Sequence, residues 1–167
     1  MTMPSDIELN AIGVLKRRAI EARIVAPLLE ALGKEFGEAR VREVARDVIA
    51  GIARDQGKAL AKAAGDNSVE AFAASLDRWT ADDALTMEMV DTTPGHLAFN
   101  VTRCRYAEMY RELGIPELGA VLSCNRDATL IEGFNPEVRF TRTQTLMGGA
   151  ACCDFRYELR RAPGHDA

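Results

Sequence analysis

The chain has 167 residues, 47% of them hydrophobic, which is long enough and apolar enough for one domain with a sizeable core. Its net charge of −4 supplies no basic surface for a nucleic acid. No apolar run approaches the ~18 residues of a membrane span, and the start lacks the basic-then-apolar order of a signal peptide. The expected setting is therefore the cytoplasm, where thiols stay reduced. There the four cysteines are more naturally catalytic, metal-binding or buried than paired in structural disulfides.

Residues 5–65 read as helix. Ser5 followed by Glu8 has the spacing of a capping box. Ile12, Leu15, Ile20, Ile24 and Leu28 recur at near-helical intervals and predict an inward stripe, with Pro27 a kink. A break is expected between Gly33 and Gly37. A second long helix follows, with Val41, Val44, Ile49 and Ile52 inward and Gly65 as C-cap. Residues 68–80 form a third helix opened by Ser68. These stripes need the sheet or a second subunit to cover them, so a homo-oligomer through the N-terminal helices is expected.

The period then changes from helical to alternating. Leu85, Met87 and Met89 point one way in residues 84–90, and Leu97, Phe99 and Val101 do so in 96–102. The intervening TTPG is turn chemistry, so the two segments form a hairpin. Residues 104–114 return to helix and end on Gly114; one or two short helices follow. Residues 137–146 and 150–161 are two further strands joined at Gly148–Gly149, and the tail at 162–167 should be loose. The class is α+β: a helical N-terminal part (1–81) packed with a mostly antiparallel sheet of about four strands covered by helices (82–161), in a single domain.

All four cysteines lie in the last 64 residues of the chain, with no CxxC pair. Cys104 stands where a strand meets a helix, with Thr102 as cap. The helix N-terminus and the flanking Arg103 and Arg105 favour a thiolate there; the alternative is a small core side chain. Cys124 and Asp127 are three apart on a helix and can share one cavity. Cys152 and Cys153 are adjacent on a strand and so face opposite ways. Cys153 falls with Phe155 and Tyr157 on the core face, Cys152 with Asp154 and Arg156 on the polar face. Asp154 is either a solvated strand charge or a carboxylate at the mouth of a site. Only His96 and His165 are available for a triad, and His96 reads as an exposed strand start. There is no HExxH, P-loop or GxGxxG.

As an ordered set these features resemble the L-2-amino-thiazoline-4-carboxylic acid hydrolase family over roughly residues 84–160. The set is Cys104 with Tyr106, the LGIPEL segment, Cys124-x-x-Asp127, the RFTRTQTL strand and Gly149-x-x-x-Cys153-Asp154-Phe155. The resemblance implies a hydrolase that opens a small C=N-containing ring carrying a carboxylate. It also marks Cys153 rather than Cys152 as the motif cysteine. Two mechanisms suit the residues. In one, a thiolate (Cys104 first, Cys153 second) attacks the ring carbon and Asp127 or Asp154 handles the protons. Arg103, Arg105, Arg142 and Tyr106 then hold the small-molecule substrate, and no cofactor is needed. In the alternative, Cys104, Cys124 and Cys153 ligate zinc and water completes the shell. The metal-free version is favoured because no chelating spacing is present. The rival class is a non-catalytic small-molecule binding or sensory module; a third is an interaction protein that dimerises through its helical half.

Overall fold

A computed structural model describes residues 3–160; the tail containing His165 lies outside the described residues. The capping box forms as the spacing predicts. Glu8 Oε2 accepts from the Ser5 backbone N–H at 2.7 Å, and the Glu8 N–H donates to Ser5 Oγ at 3.3 Å. The helix it opens, α1 (Asp6–Leu9), lasts one turn. A 3₁₀ turn (Asn10–Ile12) leads into the long helices α2 (Val14–Phe36) and α3 (Glu38–Ala64). Pro27 is carried inside a continuous α2. The break falls at Gly37 alone, whose φ of 92° lies in the region that favours glycine. The third predicted helix is capped by Ser68, which accepts from the Ala71 N–H at 3.1 Å. It divides into α4 (Val69–Ala74) and α5 (Asp77–Thr80).

The strands are β1 (Leu85–Asp91), β2 (His96–Cys104), β3 (Val138–Thr141) and β4 (Cys153–Leu159), in the antiparallel order β1-β2-β4-β3. Between β2 and β3 lie α6 (Arg105–Glu112), α7 (Pro116–Gly119), a π-helical turn (Ala120–Cys124) and α8 (Arg126–Phe134). The class is α+β, with helices on one face of the sheet. Leu97, Phe99 and Val101 are buried, and so are Cys153 and Tyr157 opposite them on β4, as the alternation predicts. Met89 departs from its pattern. It keeps the register, opposite the buried Phe99, but lies near the end of the edge strand and is 51% exposed.

The helical stripes correct the sequence reading most. Ile12, Ile20, Ile24 and Leu28 are exposed, as are Val44 and Ile52. The inward face of α2 is Val14, Arg18, Ala22 and Ala26, and that of α3 is Ala45, Ala53, Gly57 and Leu60. Small residues win the core because the helices cross very closely. A Cβ on Gly57 would stand 2.0 Å from the Leu130 carbonyl oxygen, and one on Gly133 2.0 Å from that of Arg54. α3 and α8 therefore touch backbone to backbone, and large aliphatic side chains have no room on that face.

The second hairpin is also shorter than predicted. Residues 142–152 leave the sheet as a loop instead of extending β3 and β4 to a glycine turn. Hydrogen bonds to three acceptors hold it. Asp154 accepts from the Thr143 and Gln144 N–H groups, Cys153 Sγ accepts from the Leu146 N–H at 3.1 Å, and Thr145 O accepts from the Gly148 and Ala150 N–H groups. This excursion carries Arg142 away from the sheet ladder and toward α8.

Candidate functional site

Between the sheet and the helices lies a cavity of about 160 Å³. An apolar cavity of about that size accepts one benzene ring, so this one suits a single small ring. Its sheet side is apolar, with Phe99, Val101, Phe155 and Tyr157. Cys104, Cys124, Asp127, Arg142, Cys153 and Tyr106 all line it, so residues far apart in the chain converge on one space.

Cys104 closes β2 and serves as the N-cap residue of α6, two positions earlier in the helix than the place expected with Thr102 as cap. Burial pushes its thiol up to about 11; the N–H groups of Ala107 and Tyr106 pull the other way but do not cancel it. The expected help from flanking arginines is absent. Arg103 is exposed and forks onto Glu108 at 2.8 and 3.1 Å, and Arg105 donates to the Asp82 carbonyl at 2.7 Å. Neither lines the cavity, which removes both from the substrate-binding set. The local charges that favour a thiolate in sequence point outward in space.

Cys124 ends the π-helical turn and Asp127 lies in the first turn of α8. The i, i+3 spacing does bring thiol and carboxyl to one cavity. Burial pushes Cys124 up to about 12, and the nearby Asp127 charge adds to the shift. Burial also pushes the Asp127 carboxyl up, and contact with Arg142 only partly offsets it. Asp127 sits deep, yet its side chain is 32% exposed because the cavity opens in front of it. Its Oδ2 accepts from Arg142 Nη1, and Oδ1 has no hydrogen-bond partner among the described residues.

Arg142 does not act as a free clamp for a substrate carboxylate. One arm is committed to Asp127, the other to the Cys124 carbonyl at 3.1 Å. Its guanidinium lies 5.8 and 5.2 Å from the rings of Phe140 and Phe155. Arg142 is thus a fixed brace that orients Asp127 and the Cys124 turn. Tyr106 lines the cavity, but its hydroxyl donates to the Trp79 carbonyl at 3.2 Å.

Cys153 is 6% exposed on the inner face, and burial pushes its thiol up. Cys152 is on the outer face, where Gln144 Nε2 lies 3.2 Å from its sulfur. Asp154 does not reach the cavity; it ties down residues 143–144, and Thr143 Oγ1 donates to it at 2.6 Å. His96 starts β2 at the end opposite Cys104 and takes no part. The three inner thiols all line the cavity. Among the described residues no three Cys, His, Asp or Glu side chains group closely enough to hold a metal ion. The donors therefore do not fit the zinc site drawn from Cys104, Cys124 and Cys153.

Sequence reasoning missed a second polar group. Arg18 and Arg126, 7% and 9% exposed, line the cavity together with Gln56. Arg126 donates to the Leu122 carbonyl at 2.8 Å and to Gln56 at 3.1 Å, and Arg18 donates to Glu21. Arg18 sits one turn after Val14, on the face opposite the aliphatic stripe. A long charged residue on a row of alanines was the available signal.

A model of the L-2-amino-thiazoline-4-carboxylic acid hydrolase family matches residues 17–157. The chain belongs to that family, a family of hydrolases. The match covers most of the chain, including the helical half, and so extends well beyond the 84–160 segment expected from the motifs. No curated protein matches the chain. Among solved structures, the phenol-responsive sensory domain of the transcription activator PoxR, bound to phenol, is similar at 11% identity and a TM-score of 0.47. The similarity covers 85% of this chain and 74% of that one. No described helix is long and apolar enough to cross a membrane.

Proposed function

We propose that this family member hydrolyses a small cyclic amidine or imine carrying a carboxylate. One observation carries the reading. A cavity of one-ring size brings Asp127, with a free Oδ1, to the same space as Cys104, Cys124 and Cys153.

The chemistry follows from the protonation states. Burial keeps the thiols neutral, so no thiolate waits for substrate. An amidinium placed beside the thiol favours its ionised form locally and so lowers the thiol pKa in place. The Cys104 proton passes to Asp127 as sulfur bonds to the C=N carbon and the π pair moves to nitrogen. Asp127 then returns the proton to the departing ring heteroatom and opens the ring. As that heteroatom leaves, the nitrogen pair re-forms C=N; water then adds to this carbon, giving a proton to the same carboxylate, and the carbonyl forms as Cys104 leaves and takes that proton back as a thiol. The net change is one water added: the C=N carbon becomes a carbonyl and one ring heteroatom leaves protonated. Arg142 holds Asp127 in place throughout. No metal or cofactor enters this scheme.

The test is mass spectrometry of the purified protein with 2-amino-thiazoline-4-carboxylate and related five- and six-membered ring acids. The expected product is heavier by one water. Ligand-induced thermal stabilisation without turnover of any ring acid in the panel would favour a non-catalytic binding module.

A further inference from the structure

The helical side of the cavity carries a charge imbalance that the proposed chemistry does not use. Glu21 accepts from Arg18 Nη1 and from Arg17 Nε at 2.9 Å, and its Oε2 lies 4.0 Å from Arg126 Nη2. The two guanidinium groups that line the cavity there, Arg18 and Arg126, thus share one carboxylate. At the other side, Arg142 and Asp127 offset each other. With the thiols neutral, the cavity and its immediate wall hold surplus positive charge.

Such a surplus is costly in a buried place unless something answers it. Glu21 and Gln56 answer part of it. Arg18 keeps Nε and Nη2 without a partner among the described residues. No fully buried side-chain nitrogen or oxygen lacks a partner there, so these donors are not sealed in packing; they face the cavity. Arg126 comes from α8, which is held backbone to backbone against α3, and its head is fixed on the Leu122 carbonyl and Gln56; Arg18 comes from α2, where Glu21 holds its head.

We propose that Arg18, seconded by Arg126, is the receptor for the carboxylate of the ring substrate. This rests on the function proposed above and corrects the assignment of that task to Arg103, Arg105 and Arg142. Glu21 is a positioning residue that holds the Arg18 fork with one arm bound and the rest open. The ring then lies between the arginine side and the Asp127–cysteine side. A planar guanidinium suits a carboxylate because it offers parallel N–H donors, and in a water-poor cavity such charge-assisted bonds are strong. The substrate class narrows to single-ring acids that present an ionised carboxylate, with amides and esters of the same ring excluded.

Isothermal titration calorimetry with thiazole-4-carboxylate and thiazole-4-carboxamide tests this, since neither aromatic ring needs to be turned over. The wild-type protein should bind the carboxylate at least tenfold more tightly than the amide. Arg18→Gln should erase that preference while leaving amide affinity within twofold, and Arg18→Lys should restore part of it. Melting temperature and circular dichroism check that the variants fold; if Arg18→Gln does not, Arg18→Lys and Glu21→Gln are compared with wild type for the same preference. Equal binding of acid and amide by wild type, no binding of either, or equal loss of both in the folded variant would overturn the receptor. The two proposals fail separately. Carboxylate-selective binding without turnover of 2-amino-thiazoline-4-carboxylate keeps the receptor and removes the hydrolysis. Turnover with unchanged KM in Arg18→Gln does the reverse.

Discussion

The cavity wall that carries Cys104, Cys124, Asp127, Arg142 and Cys153 comes wholly from the chain beyond residue 100, whereas Arg18 and Gln56 on the other wall come from the helical hairpin α2–α3. The first wall is dense in local sequence signals: a cysteine opening a helix, a C-x-x-D turn, a glycine turn before C-D-F. The second has none. On the function and the receptor proposed above, the difference reflects two physical tasks. Reactive groups need particular atoms in particular turns, and these leave short motifs. Holding an anion needs only a long cationic side chain on the inward face of a helix, and this leaves no motif at all.

The largest effects should separate the walls by kinetics. Asp127→Asn and Cys104→Ser should each lower kcat by roughly 10²–10⁴, the usual scale for losing a positioned acid/base or nucleophile. Arg103→Ala, whose side chain forks onto Glu108 at the surface, should stay within twofold of wild type. Full activity of Cys104→Ser beside a dead Asp127→Asn would replace covalent attack with direct activation of water by the carboxylate.

Next in size is the contact that joins the walls. Gly57→Ala places a methyl 2.0 Å from the Leu130 carbonyl oxygen, so α3 and α8 must part. A loss of about 3 kcal/mol in urea unfolding is expected, at the upper range for overpacking. Gly51→Ala on the same helix has nothing within 4 Å and should be neutral or slightly stabilising. Similar costs for both would mean that the crossing is looser than the backbone contact implies.

These cases show what was legible in the sequence. The α+β class, the inner face of β2 and β4, the split of Cys152 from Cys153 and the convergence of Cys124 with Asp127 follow from period and spacing, which are local. The inward face of the hairpin was not legible, because hydrophobic period favours Ile20, Ile24 and Leu28 while the close crossing demands glycine and alanine. The departure of residues 142–152 from the sheet was hidden for a similar reason. It depends on Asp154 reaching back to residues 143 and 144, a pairing that alternation cannot reveal. Nor can sequence show whether Arg103 and Arg105 point at Cys104 or away from it.

The thiols give a pH test of the burial that distinguishes the inner wall. Cys104 and Cys124 are pushed from an ordinary value of 9.0 up to about 11 and about 12. On raising the pH, the unfolded chain releases these protons first. The stability they confer is therefore full below pH 9 and is lost as pH climbs through 11. For Cys104 the full effect is on the order of 2 kcal/mol. Urea midpoints between pH 8 and 11 should fall more steeply for wild type than for the Cys104→Ala, Cys124→Ala double variant. Parallel curves would show that the thiols are hydrated and the cavity wet.

The smallest effect concerns the outer face of β4. Asp154 accepts from Thr143 N–H at 3.0 Å, Thr143 Oγ1 at 2.6 Å and Gln144 N–H at 2.9 Å, immediately after Arg142 in the chain. It is half-buried and solvent reaches it along this edge, so Asp154→Ala should cost only about 1 kcal/mol of stability. The consequence for activity is indirect. A looser residue 143 lets the Arg142 fork wander from Asp127, so kcat should fall three- to tenfold, with KM nearly unchanged because the carboxylate is held at the far wall. Asp154→Asn keeps one oxygen to accept the two backbone N–H groups and should recover most of the loss. A fall as deep as that of Asp127→Asn, without recovery in Asp154→Asn, would instead return Asp154 to the chemistry and require the loop at 142–152 to open onto the cavity.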